Sequence, residues 1–222
     1  MTVIDPTPPL PRAVARRYRH RYAVLDVETT GWEPDTGDRI VQIAVCLVDA
    51  RGVVERSWSS LVDPRRDPGP VDVHGITAER LVGAPTFDRV APTVAALLDG
   101  RVFVAHNAGF DWKFIAAEMR AAGVRLPVRH RLCTWKLARR LDLPVPNLKL
   151  ATLAAHWGIE QLRPHDAADD TRVLVEVLRE ELSAAQRAKV ELPLVRVAPR
   201  GAFARVLSRL RRAVRRSAPG GA

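Results

Sequence analysis

The sequence predicts an α/β fold, with a mixed sheet of about five strands flanked by helices. Two observations carry this. Three strand-like runs come first, and helical and strand-like segments then alternate to the end of a single apolar-rich region. The chain has 222 residues, 47% of them hydrophobic, enough for one sizeable core and flanking segments. No internal repeat is visible.

The elements follow in order. Residues 1–20 are rich in Pro and Arg and show little periodicity, so they read as a flexible arm. Positions 22–27 form a short β-type run. Positions 39–49 are apolar almost throughout, as a central strand requires. After a turn at Gly52, positions 53–62 alternate well enough for a third strand, which makes an antiparallel meander. A Pro-containing loop over 63–85 leads to helical spacing at Phe87, Val90, Val94, Leu97 and Leu98. A fourth strand at 102–105 precedes a helix over 110–122 that Gly123 closes. A short fifth strand is expected at 132–134, then helices at 135–141 and 148–157, and a long amphipathic helix over 167–182. The main domain therefore spans 21–185. Residues 186–222 read as a linker followed by a basic helix over 202–216 and a flexible end.

Composition narrows the class. The formal net charge is +10 and the pI about 10.8, which favours a polyanionic partner. Cys46 and Cys133 lie in apolar strand-like runs and read as buried free thiols rather than a disulfide or a thiolate metal site. No apolar run approaches the roughly 18 residues of a membrane span, and no signal peptide is seen. The cytoplasm is the expected location.

Three short blocks carry the chemistry. In Leu25-Asp26-Val27-Glu28-Thr29-Thr30-Gly31, the two acids are two residues apart on a strand and leave the same face. They repel unless a cation sits between them, and carboxylate oxygens suit Mg²⁺ or Mn²⁺. In His106-Asn107-Ala108-Gly109-Phe110-Asp111, a strand end places His106 and Asn107 where they could reach a phosphate. Asp111 opens the next helix, where the helix dipole alone would also explain it. In His165-Asp166-Ala167-Ala168-Asp169-Asp170, Asp166 is an N-cap and Asp169 belongs to a solvated face with Arg172 and Glu176. Asp170 instead lines up with Val173, Leu174 and Val177 on the apolar stripe. A carboxylate there needs a partner, and a metal is the natural one. His165 precedes that helix and has the chemistry of a general base.

Together the blocks resemble the motifs of the DnaQ-like, or DEDDh, family of 3′→5′ exonucleases. D-x-E-T-T-G corresponds to Asp26–Gly31, H-N-x-x-F-D to His106–Asp111 and H-x-A-x-x-D to His165–Asp170. His74-Gly75-Ile76-Thr77 and Cys133-Thr134 with Leu137-Ala138-Arg139 also resemble family segments, so the resemblance covers about 21–183. It implies a ribonuclease H-like fold and two divalent cations, Mg²⁺ or Mn²⁺, held by Asp26, Glu28, Asp111 and Asp170. It also implies His165 as the base, and nucleoside 5′-monophosphates as products. Thr29 and Thr30 would contact the 3′-terminal nucleotide. His74, Asn107 and Phe110 are further candidates for substrate contact. Gln42 stands where family members often carry Glu. The expected partner is a nucleic acid with a single-stranded 3′ end, DNA favoured over RNA, with a polymerase or repair protein as a further partner. An exoribonuclease of the same fold is one alternative, and a catalytically quiet binding or scaffolding domain is another. The basic helix at 202–216 lies outside the resemblance; it could hold a single strand, lie on an anionic membrane, or serve only as a packing or disordered tail.

Overall fold

The structure, a computed structural model, describes residues 8–198. The chain enters through α1 (Arg12–Arg17) and then β1 (Tyr22–Thr29), β2 (Ile40–Val48) and β3 (Val54–Leu61). A long loop holds the single-turn α2 (Val71–His74). It is followed by α3 (Phe87–Leu98), β4 (Val102–Ala105), α4 (Gly109–Ala121), β5 (His130–Cys133), α5 (Thr134–Leu141), α6 (Leu150–His156), α7 (Ala167–Ala188) and β6 (Val195–Arg196). The sheet order is β3-β2-β1-β4-β5-β6. β1, β2 and β3 pair antiparallel, β1, β4 and β5 pair parallel, and β6 returns antiparallel on β5.

Strand alternation splits the core into two layers. Leu25, Val27, Ile43 and Val45 pack with Val94 and Leu98 of α3 and with Phe114 and Ile115 of α4. Val24, Cys46, Val48 and Val104 point the other way, onto Leu174, Leu178 and Leu182 of α7 and Val14 of α1. Every residue of β2 is buried, as its unbroken apolar run requires. Each fully buried side chain of this size contributes roughly 1.5–3 kcal/mol, so the two layers hold the sheet rigid. The carboxyl ends of the three parallel strands meet at one edge, the usual place for a site in such sheets.

The fold departs from expectation in four places. The sheet has six strands rather than five, because β6 is only two residues long and too short to show a period. The described part of the Pro/Arg-rich arm is not free: Leu10, Val14 and Tyr18, at helical spacing, are buried in the α7 layer, and the Tyr18 hydroxyl donates to the Val190 carbonyl at 2.6 Å. α7 runs on to Ala188, and Val190, Leu192 and Leu194 still pack on the core. The loop over 63–85 also holds more structure than expected, in α2 and a 3₁₀ turn at Glu79–Leu81. The expected basic helix over 202–216 and the flexible end lie outside the described residues. Cys46 and Cys133 are both buried and free. Among the described residues, no helix is long and apolar enough to cross a membrane.

Candidate active site

The end of β1 and the first turns of α4 and α7 converge at that sheet edge. In β1, Asp26 lies opposite Ala44 and Glu28 opposite Gln42, so both acids stand on the face that carries Val24. A register shift between Glu28 and Thr29 ends the strand beside them. Asp111 is buried in the first turn of α4, and Asp170 is buried in the first turn of α7.

Electrostatics shows how crowded these groups are. Burial holds the Asp26 carboxyl well above the usual carboxylate range, and repulsion from Asp111, Glu28, Asp170 and Asp166 adds to it. Glu28 is pushed up to about 8, by burial first and then by Asp170, Asp111 and Asp166. Burial raises Asp111 to about 7 against the opposing pull of its own amide and that of Val27. Asp170 is raised by burial although Gln161 and the His165 amide hydrogen-bond to it. Among the described residues, none of the four forms an ion pair with Lys or Arg. Four crowded carboxylates with no protein cation between them fit divalent cations that prefer hard oxygen ligands. Oxygen or nitrogen atoms of Glu28, Asp170 and His165 lie within 4.8 Å of one another, close enough to share one ion.

The loop before α7 is held by an acid that the sequence reading put on a solvated face. Asp169 is 5% exposed. Its Oδ2 accepts from the Leu162 and Arg163 amides, both at 2.7 Å, and its Oδ1 accepts from Arg172 Nε at 2.9 Å. Burial pushes its carboxyl up, but the Arg163 amide and the Arg172 guanidinium outweigh that, and it lies below its ordinary value. The Arg172 contact was legible as a helix pair; the loop folding back over Asp169 was not. Asp166 caps α7 as expected, accepting from the Asp169 amide at 3.1 Å. Asp170 accepts from Gln161 Nε2 at 2.5 Å and from the His165 amide at 3.0 Å, so both of its oxygens are oriented. His165 itself is exposed, with φ of 63°. It stands at the lip of the carboxylate cluster, with a ring nitrogen within 4.8 Å of Glu28 and Asp170 oxygens.

The other predicted residues fall into two groups. Asn107 is exposed with φ of 58°, and with His165 and Asp170 it lines a cleft of about 760 Å³. Phe110 is half-buried and meets Trp32 edge-on, with ring centroids 5.8 Å apart. Thr29 and Thr30 are buried, and their hydroxyls serve the loop: Thr29 donates to the Gly31 carbonyl and Thr30 to Asp38. His74 is also buried, with the Ile76 amide donating to its Nδ1 and Nε2 placed 3.3 Å from the Pro68 carbonyl. His106 is a correction. Instead of reaching out to a phosphate, its ring contacts Thr134 Oγ1 and the Leu148 carbonyl, each at 2.9 Å, and burial pushes it down to about 4. It is a neutral strut between β4 and the start of α6. Gln42 accepts from the Ala167 amide at 3.1 Å and so fastens β2 to the start of α7.

Two residues at the site were not singled out from the sequence. Gln161 orients Asp170, but it sits in an aperiodic loop and nothing in its sequence context marks it. Trp32 is 80% exposed directly after the first block, at the rim beside Phe110. An exposed indole next to a Thr-Thr-Gly turn was a legible signal.

Known proteins resemble this chain in sequence and fold. A family model described as an exonuclease, RNase T, matches residues 23–178. The chain is 35% identical over 157 residues to the 3′-5′ exonuclease DinG of Bacillus subtilis (strain 168), covering 70% of this chain and 17% of that protein. It is 32% identical over 161 residues to the DNA polymerase III subunit epsilon of Treponema pallidum (strain Nichols), covering 70% of this chain and 74% of that protein. Several other curated relatives are far longer, and the chain spans 11% of a PolC-type DNA polymerase III of Clostridium perfringens (strain 13 / Type A). Among solved structures, Exonuclease X in complex with 5′ overhanging duplex DNA matches with a TM-score of 0.60 and 26% identity, over 74% of this chain and 92% of that one. The nuclease domain of 3′hExo, a DEDDh family member bound to rAMP, matches with a TM-score of 0.67 over 81% of this chain and 98% of that one; at 17% identity it speaks for the fold alone.

Proposed function

Because the chain belongs to the RNase T-type exonuclease family and has the ribonuclease H-like fold of the DEDDh exonucleases, we propose that it removes nucleoside 5′-monophosphates from the 3′ end of single-stranded or frayed DNA. The observation that carries this is the set of four crowded carboxylates, Asp26, Glu28, Asp111 and Asp170, with no protein cation among them. These residues would hold two Mg²⁺ or Mn²⁺ ions. When bound, such ions neutralise the cluster and stabilise the charge that builds on the attacked phosphate.

The chain's own groups supply the rest. His165, at the lip, takes the proton from the attacking water. The new bond forms between that water oxygen and the terminal phosphorus, and the P–O3′ bond breaks. The terminal nucleotide leaves as a 5′-monophosphate, and the departing 3′-oxygen takes a proton from solvent, so the shortened strand keeps a 3′-hydroxyl. Gln161 and the His165 amide fix the orientation of Asp170, and Asp169 fixes the loop that carries His165. Trp32 and Phe110 offer an aromatic rim on which a terminal base can stack, and Asn107 offers an amide to its phosphate. Support for a polymerase or repair partner comes from the epsilon relative alone.

The test is a time course with 5′-labelled single-stranded DNA and RNA in Mg²⁺ or Mn²⁺, beside Asp26→Ala. A metal-dependent ladder shortening from the 3′ end, absent in the variant, is expected, with DNA degraded faster than RNA. No ladder on any substrate, with the oligonucleotide still bound, would make this a binding domain.

A further inference from the structure

The cleft beside His165 does not end at the catalytic cluster. At its far side it is lined by Asn107, Trp135, Asn147 and Lys149. Asn107 also borders a second concavity of about 160 Å³, lined by Arg131, Lys136 and Val195 among others. Arg131 lies opposite Val195 in the β5–β6 pair and shares its face, whereas Arg196, opposite His130, points to the other face. A continuous course therefore leads from Asp170 and His165, past Asn107 and Trp135, over Lys136 and Arg131, to the edge strand β6.

This course has one sign of charge. Lys149 and Lys136 are exposed, and among the described residues neither of them nor Arg131 forms an ion pair. The Arg131 guanidinium lies 4.6 Å from the Trp112 ring centroid, and its Nε is buried without a hydrogen-bond partner. Asp170 is the one acid lining either concavity. The sequence continues the pattern, since positions 199–222 hold seven arginines and no acidic residue. Unmatched cations spaced along a groove, with an aromatic ring between them, are what a single-stranded phosphodiester backbone needs.

We propose that the course Lys149–Asn107–Trp135–Lys136–Arg131 is a backbone-binding track that holds the single strand on the 5′ side of the terminal nucleotide. It rests on the exonuclease reading only for its direction, from the catalytic cluster outward. The track sets how tightly a long strand is held and leaves the chemistry at its 3′ end alone.

The test uses the full chain and the double variant Lys136→Ala/Lys149→Ala. Anisotropy with a fluorescein-labelled 20-nucleotide dT strand is read in EDTA across a salt series. Hydrolysis of the p-nitrophenyl ester of thymidine 5′-monophosphate is read in Mn²⁺. For the variant we expect affinity for the 20-mer to fall on the order of tenfold at low salt, and the slope of log K against log salt to become shallower by about 1.4, two contacts at about 0.7 each. Ester hydrolysis should be unchanged. Equal 20-mer affinity and slope in both proteins overturns the track. So does a parallel loss of ester hydrolysis, which would place the effect in the fold or the catalytic cluster. If the unsubstituted protein hydrolyses neither ester nor oligonucleotide, the exonuclease reading fails while the binding comparison still decides the track.

Discussion

The Arg39 guanidinium meets the Glu118 carboxylate through two hydrogen bonds of 2.8 Å, and Glu118 is only 3% exposed. This pair ties the start of β2 to α4, the helix that presents Asp111. Removing one partner of a buried pair leaves the other charge stranded. Arg39→Ala should therefore cost about 3 kcal/mol or more in urea unfolding. A loss below about 1 kcal/mol would mean the pair behaves as an exposed one.

The carboxylate cluster opposes folding when no cation is present. Asp26→Asn should abolish nuclease activity, by about 10²–10³-fold or more. The same change should raise the melting temperature in EDTA, by about 2–4 °C for each kcal/mol of repulsion relieved. A variant that loses both activity and stability would show that Asp26 holds the fold instead.

The direction of the pH dependence follows from the raised carboxyls. Asp26, Glu28, Asp111 and Asp170 all lie above their ordinary values, with Glu28 at about 8 and Asp111 at about 7. The folded state then binds more protons than the unfolded state over this range, so stability falls as pH rises. In EDTA the contribution is fully present below about pH 4 and is lost as pH passes through 7 and 8. Added Mg²⁺ should raise the melting temperature more at pH 9 than at pH 5. Equal shifts at both values would contradict the assignment.

His165 separates base from ligand. As a base, His165→Ala should lower the rate by about 10²–10⁴-fold and leave Mn²⁺ affinity unchanged by calorimetry. Its ring nitrogen lies close enough to Glu28 and Asp170 to coordinate. A matching loss of ion affinity would therefore assign it as a ligand.

Asp169 should act on the loop it holds. Hydrogen bonds to a charged group contribute about 1.5–3 kcal/mol, so Asp169→Ala should destabilise on that scale. It should also speed hydrogen exchange at the Leu162 and Arg163 amides, which now donate to it. Exchange left unchanged there would remove Asp169 from any role in positioning His165.

Local pattern determined much of this protein. The unbroken apolar run of β2, the two-residue spacing of Asp26 and Glu28, and the place of Asp170 on the stripe of α7 are periodic facts that depend only on backbone geometry. They were enough for five of the six strands, most of the helices, and Asp26, Glu28 and Asp170; Asp111 joined that set only through the resemblance. Tertiary structure decided what depends on chain segments distant in sequence. His106 became a half-buried strut because Thr134 and Leu148 meet its ring. Asp169 became a buried anchor because residues 162–163 fold back onto it. Leu10, Val14 and Tyr18 left the expected free arm because α7 gives them a surface to cover. The basic course joins Lys149, before α6, to Arg131, on β5, residues 18 positions apart whose concavities meet at Asn107. A period reports which way one side chain points along its own element. Whether a partner from elsewhere in the chain meets it there is fixed only when the elements pack.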